Sequence, residues 1–189
     1  MKIIFGTYSI SRNVTGISNL MQNLCKSYSR LGHEIFIAAT YDEFSEIDKK
    51  KYSNQNIFLI KSVKIINPII SIYKYFNIYK KSQADIAHIH SLWSVSTIAV
   101  YLWAKIYNRP YLISPNGMLS EWALNQSRLK KSVFLSLIFR RIINNAHAII
   151  VNSDKEVSFL KDKGYKNTFY VIPNGVDLPL KSIENKKNG

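Results

Sequence analysis

The stretch that most constrains the fold is 85–124, where two short β-prone runs flank a long apolar one. Residues 86–89 (Ile-Ala-His-Ile) and 111–113 (Tyr-Leu-Ile) are strand-like, and each stops at polar residues: His90 and Ser91 after the first, Ser114, Pro115, Asn116 and Gly117 after the second. Between them, residues 95–108 are apolar enough and long enough for a crossover helix. A right-handed crossover makes the strands parallel and puts both carboxyl ends on one edge of a sheet. Ligands of open α/β sheets bind at that edge. His90, Ser91, Asn116 and Gly117 are therefore expected side by side, lining one cleft.

The flanking sequence extends the same pattern. Residues 2–8 form an apolar strand, a polar loop leads to Gly16, and Ile17, Leu20, Met21, Leu24, Tyr28 and Leu31 recur at helical spacing until Gly32-His33 ends the helix. Residues 35–39 resume as a strand. The polar, lysine-rich stretch 41–56 reads as a surface excursion with one helical turn, and 57–60 as a third strand. Asn67 and Pro68 supply a cap and first turn for the helix IISIYKYFNIYKK, whose isoleucines suit a core and whose lysines suit a membrane surface. Residues 126–145 are apolar almost all round and basic at both ends, which fits a buried helix or one touching a membrane. A strand at 148–151, a helix capped by Ser153 and running to Gly164, and a strand at 169–172 complete an α/β, Rossmann-like domain, with a mostly parallel sheet and helices on both faces.

With 189 residues, 47% of them hydrophobic, the chain can bury one sizeable core. Its single cysteine, Cys25, excludes an intrachain disulfide, sits on a helix as a buried thiol and fits a reducing compartment. Met1-Lys2 runs directly into a strand, and no apolar run approaches the roughly 20 residues that span a bilayer, so a cytoplasmic protein is expected. The formal net charge is +14. Between Asp48 and Glu121 the only acid is Asp85, while Lys51, Lys61, Lys64, Lys74, Lys80, Lys81, Lys105 and Arg109 fall in that interval. Such a surface attracts polyanions, either anionic lipid or nucleic acid.

The pattern D-I-x-H-I-H-S-L-W followed by S-P-x-G-M-L-x-x-W-A-L resembles the N-terminal, acceptor-side domain of retaining glycosyltransferases of family 4, which have the two-domain GT-B fold. The segment NAHAIIVNSDKEVSFLKDKGYKNTFYVIPNGVD resembles that family's last strands and its interdomain hinge. The resemblance implies a Rossmann-like acceptor domain over 1–172, followed by a hinge and polar tail over 173–189, with Pro173, Asn174, Gly175 and Asp177 as hinge residues. The chain ends twelve residues past the hinge motif, so the donor domain is expected to be absent. The implied activity is transfer of a sugar from a nucleotide sugar to a lipid-linked or saccharide acceptor in cell-surface polysaccharide biosynthesis, peripheral on the inner face of the membrane. The nucleotide sugar is a co-substrate held through the missing C-terminal domain; no other cofactor, no metal and no nucleic acid are expected.

Residue by residue, the resemblance carries acceptor binding onto Gly16, His90, Ser91, Asn116, Gly117 and Glu121. Gly16 is what remains of a frequent glycine pair, either approached by a ligand or serving only as the helix entry. His90 either hydrogen-bonds a sugar hydroxyl or phosphate, or closes the strand end against backbone; His88, two residues earlier and deeper, reads as structural. Asn116 stands where many relatives carry His or Arg and keeps hydrogen bonding without charge. Gly117 lets the chain turn. Glu121 and Trp122 are candidates for contact with an acceptor sugar, Trp122 equally for the core. The alternative reading is a catalytically inactive, truncated module that binds membrane or a partner donor-domain chain. Nucleic-acid binding has charge behind it but no recognisable motif, and a dinucleotide oxidoreductase lacks the first-turn G-x-G-x-x-G.

Overall fold

A computed structural model describes residues 1–52, 55–61, 68–120, 123 and 138–175. Seven strands form one sheet: β1 (Lys2–Gly6), β2 (Glu34–Tyr41), β3 (Asn56–Lys61), β4 (Ile86–Ile89), β5 (Tyr111–Ile113), β6 (Ala148–Val151) and β7 (Thr168–Val171). Their order is β3-β2-β1-β4-β5-β6-β7 and every pairing is parallel. The chain steps outward from β1 to β3, returns across the sheet, and steps outward the other way from β4. The direction therefore reverses between β1 and β4.

Helix α1 (Thr15–Arg30) covers one face, where Met21 and Cys25 pack on Ile3, Phe5, Ile35, Ile37 and Ala39. The opposite face carries α3 (Pro68–Ser82), α4 (Val95–Tyr107), α5 (Arg140–Asn144) and α6 (Asp154–Asp162), around a larger core that includes Ile4, Ala87, Ile89, Trp103, Ile142 and Leu160. Local chemistry sets the ends of these helices. Ser94 and Ser153 accept from Thr97 and Glu156 amides as N-caps. Gly32, at φ +77°, follows the last turn of α1 in the left-handed conformation that glycine adopts without a Cβ penalty.

Three expectations change. In α3 the fully buried residues are Ser71, Tyr75, Tyr79 and Ser82; of the isoleucines expected in the core, Ile72 and Ile78 pack against it, partly buried, whereas Ile69 and Ile70 are 73% and 42% exposed. The tyrosines can enter because partners await their hydroxyls: Tyr75 pairs with Thr40 Oγ1 at 2.7 Å and Tyr79 with Ser96 Oγ. The stretch after β2 is no simple surface excursion, for Ser45, Asp48 and Tyr52 are buried there, on the short helix α2 (Ser45–Asp48) and the turn that follows it. The regular strand expected at 2–8 ends at Gly6, although Thr7 N still donates to Ala38 O at 3.1 Å and Tyr8 O accepts from Thr40 N at 3.0 Å. Of the helix expected at 126–145, only residues 138–145 are described. Ile142 and Ile143 are buried there and Ile138 is exposed; the remainder, with the Asn67 cap, lies outside the described residues. Among those residues, no helix is long and apolar enough to cross a membrane.

Candidate functional site at the carboxyl edge

The reversal between β1 and β4 is the crevice position of a doubly wound sheet, and three loops meet there. Parallel register places Gly6 beside Ile89 and Ile89 beside Ile113. The ladder continues one step beyond each strand, as His90 N donates to Gly6 O and Ser114 N to Ile89 O, both at 2.8 Å. Residues 7–14, 90–94 and 114–120 therefore leave the sheet side by side.

The loops are tied to one another. Thr7 Oγ1 lies 3.2 Å from Ser91 Oγ, both groups buried. Asn116 Nδ2 donates to His90 O and to Ser114 O, each at 3.2 Å, and Leu92 N donates to Met118 Sδ at 3.4 Å. Asn116 (φ +49°) and Gly117 (φ +78°) form a left-handed pair, so the 114–118 turn exists because an asparagine that tolerates that region precedes a glycine that favours it.

Two carboxylates after β2 fix the first loop. Asp42 accepts from Ser9 Oγ at 2.6 Å and Ser11 Oγ at 2.7 Å. Asp48, its side chain 1% exposed, takes Arg12 N at 2.8 Å, Arg12 Nε at 3.0 Å, Arg12 Nη2 at 2.8 Å and Lys51 Nζ at 2.9 Å. Hydrogen bonds from Arg12 and Lys51 hold the Asp48 carboxyl far below its ordinary range. Burial alone would raise Asp42, but bonds from Ser11, Ser9, Ser45 and the Phe44 amide bring it below its usual value. Sequence reasoning missed Thr7, Asp42, Asp48 and Met118. The two aspartates sit in a stretch whose lysines read as solvated, and their partners on the first loop lie more than thirty positions away in the chain.

The sequence-predicted residues divide as follows. Gly16 lies in the first turn of α1, where Val14 offers no side-chain cap, no acidic residue is present, and no atom stands within 4 Å of where a Cβ would be. Gly117 likewise faces open space. Asn116 is part-buried and braces backbone. Ser91 is buried, and the His90 ring is wholly enclosed instead of lining a cleft. That ring sits 4.0 Å from His88 and 5.2 Å from Phe5, and neither of its nitrogens has a hydrogen-bond partner among the described residues. His88 Nε2 pairs with Ser114 Oγ at 2.7 Å. Burial lowers His88 to about 4, and burial with His88 alongside pushes His90 well below 6.5, so both imidazoles are neutral. Glu121, Trp122 and Asp177 lie outside the described residues. Pro173, Asn174 and Gly175 follow β7, exposed. No group of three His, Cys, Asp or Glu side chains among the described residues is placed to hold a metal ion.

Arg12 is the only charged residue on the three loops, and its charge is matched by Asp48. The surface they present offers amides, hydroxyls and an uncapped helix start. It suits neutral, hydroxyl-rich ligands better than polyanions.

Several solved structures share this fold. HepE of Anabaena, crystallised with UDP and glucose, superposes with a TM-score of 0.67 at 18% identity, over 94% of this chain and 45% of that one. The lipopolysaccharide outer core galactosyltransferase WaaB, in its apo form, gives 0.65 at 14% identity, over 95% and 47%. MnaA of S. aureus, solved with UDP, gives 0.67 at 16%, over 92% and 45%. The chain thus spans just under half the length of each, and at these identities the likeness is one of fold. No curated protein sequence matches. The sequence model of Glycosyltransferase Family 4 matches residues 14–179, nearly the whole chain, and on that match the chain belongs to glycosyltransferase family 4.

Proposed function

We propose that this chain is the acceptor-binding half of a glycosyltransferase that moves a sugar from a nucleotide sugar to a lipid-linked or saccharide acceptor in cell-surface polysaccharide biosynthesis. The observation that carries the reading is the near-neutral surface where three braced loops meet at the sheet reversal, in a member of this family. Catalysis of glycosyl transfer needs an acceptor hydroxyl held beside the donor's anomeric carbon on the proper face of the sugar, and positioning supplies much of the rate. Gly16 and Gly117 let a ligand approach backbone closely, the first-turn amides of α1 are free of any capping side chain, and Asn116 locks two of the loops together. The neutral histidines argue against cation or acid roles at this edge. The diphosphate of a nucleotide sugar would take its cations from a donor-side domain, and a lipid-linked acceptor would bring the protein to the inner face of the membrane.

Amide chemical-shift mapping on the chain tests this. A short-chain polyprenyl diphosphate-linked monosaccharide is expected to perturb residues 7–16, 90–94 and 114–120. UDP alone is expected to bind at least tenfold more weakly. Shifts confined to the amino edge of the sheet, or UDP binding tighter than the acceptor, would overturn the assignment.

A further inference from the structure

Helix α1 holds no acidic residue, and neither do residues 49–56, which run from the turn after α2 to the start of β3. Between these two segments lies a pocket of about 220 Å³. Gln22, Lys26 and Arg30 line it from α1 and Lys51 from the turn, beside the buried side chains of Cys25 and Tyr52. Ser29 Oγ accepts from Gln55 Nε2 at 2.9 Å, which ties the two segments together. Drug-sized ligands occupy about 300–1,000 Å³, so this pocket is sized for something smaller.

Lys26 and Arg30 have no carboxylate partner among the described residues, and no acidic side chain lines the pocket. They stand one turn apart and so share one side of α1. Lys51 is held differently. Its Nζ lies 2.9 Å from Asp48 Oδ1, the same oxygen that accepts from Arg12 Nη2 at 2.8 Å. One carboxylate does not match two cations, so this cluster keeps a positive charge, and an ammonium with three donors has bonds to spare. A phosphate group answers that set: its charge matches the surplus, the Arg30 fork suits two of its oxygens, and the ammonium groups take the rest. A neutral sugar would leave the cations unmatched.

We propose that the pocket between α1 and residues 49–56 binds a phosphate group, free or as a small phosphomonoester, and that its occupancy is passed to the first loop of the carboxyl edge through Lys51, Asp48 and Arg12. When a ligand oxygen takes a share of the Lys51 ammonium, Asp48 Oδ1 is left more fully to Arg12, and the loop that Arg12 anchors is held more tightly. No residue of 7–14 lines the pocket, so a response there reports coupling and not contact. The inference does not depend on which ligand the carboxyl edge binds.

Amide chemical shifts and hydrogen exchange of the chain, titrated with inorganic phosphate and with glucose 1-phosphate against chloride at constant ionic strength, test it. Shifts are expected at residues 22–30, 51 and 52, with slower exchange at the Arg12, Asn13 and Val14 amides. Equal affinity for the two probes would identify a free-phosphate site, and tighter glucose 1-phosphate a phosphomonoester site; each supports the proposal. A hydrogen bond to a charged group is worth about tenfold or more in affinity, so K26Q/R30Q is expected to weaken binding at least about tenfold. The charge-matched K161Q/K166Q, on α6 and the loop after it, is expected to change it less than about twofold, because salt screens distant exposed charges. K51Q is expected to weaken binding and to abolish the ligand-dependent slowing at 12–14. All substituted residues are exposed, so folding is retained. Equal losses in the two double variants, shifts confined to the carboxyl-edge loops, or a bound protein whose exchange at 12–14 is unchanged would each overturn the proposal.

Discussion

Gly6, the last residue of β1, tests the packing beneath the candidate site. A Cβ added there would stand 2.7 Å from Tyr79 Oη and 3.2 Å from Ser96 Oγ. Ordinary contact begins at 3.4 Å, so Tyr79 would have to retreat by 0.7 Å, the difference between 3.4 and 2.7. It has no room to do so. Its ring is fully buried, flanked by Tyr75 at 6.5 Å and Trp103 at 6.1 Å, and its hydroxyl is already bonded to Ser96. Overpacking of a tight core costs about 1–3 kcal/mol, while alanine in a strand regains about 0.5–1 kcal/mol over glycine. Gly6→Ala is therefore expected to destabilise by about 1–2 kcal/mol, a fall in Tm of about 2–8 °C at this chain length. Urea denaturation followed by far-UV circular dichroism measures it. Tyr79→Phe removes the clashing oxygen at a cost of about 1 kcal/mol for the lost hydrogen bond. In that background Gly6→Ala should be neutral to within about 0.5 kcal/mol. If Gly6→Ala destabilises equally in both backgrounds, or not at all in the native one, the contact does not set the packing.

Three further outcomes are expected. The folded-state values of His88 and His90 both lie below the unfolded 6.5, so the unfolded chain binds more protons in acid and stability falls as pH drops from about 6.5 towards 4. Two such groups give a slope of at most about 2–3 kcal/mol per pH unit; Asp42 and Asp48 act only below 3.8, and a urea midpoint that stays flat between pH 6.5 and 5 would refute the buried neutral pair. Gly117→Ala meets no atom but must hold φ at +78°, so it should destabilise by about 1–2 kcal/mol, whereas Gly117→Asn should destabilise less; equal losses would mean that the turn is not left-handed. Asp48→Asn removes the charge and one of the two acceptor oxygens that hold Arg12 and Lys51, and faster hydrogen exchange at the Arg12, Asn13 and Val14 amides with β4 unchanged is the expected signature.

The sequence displayed whatever depends on neighbours along the chain. Strand β4, helix α4 and strand β5 could be read almost to the residue, because run length and the polar residues that end each strand are local signals. The face that α3 buries was legible only in part. Hydropathy favours its isoleucines inside, which holds for Ile72 and Ile78 and not for Ile69 and Ile70; Thr40 and Ser96 supply the hydroxyls that let Tyr75 and Tyr79 bury their rings with the polar end satisfied. Asp48 was hidden in the same way, since its burial depends on Arg12 across 36 positions. Alternation along β4 does put His88 and His90 on one face, but it says nothing of depth. His90 proved the more enclosed of the two, its ring packed against Phe5 and His88.

Charge is where fold and function meet in this chain. A net charge of +14 on a protein read as handling a diphosphate invites the expectation of a cationic site, yet the loops at the sheet reversal carry only Arg12, and Asp48 matches it. Two like-sized alternatives follow. If the carboxyl edge bound phosphate directly, a buried carboxylate clamped beside its one arginine would oppose the ligand, and replacing Asp48 would strengthen nucleotide binding. If the edge binds hydroxyls, the clamp serves only to hold the loop, and replacing Asp48 would weaken acceptor binding while leaving UDP unaffected. The geometry favours the second, because both oxygens of Asp48 are already engaged with Arg12 and Lys51 and face the protein. Lysines without a carboxylate partner among the described residues lie on α1, β3, α3 and α6, and Lys155 of α6 lines a pocket with Gly117 and Ser120, so charge reaches this edge from a helix and not from the three loops.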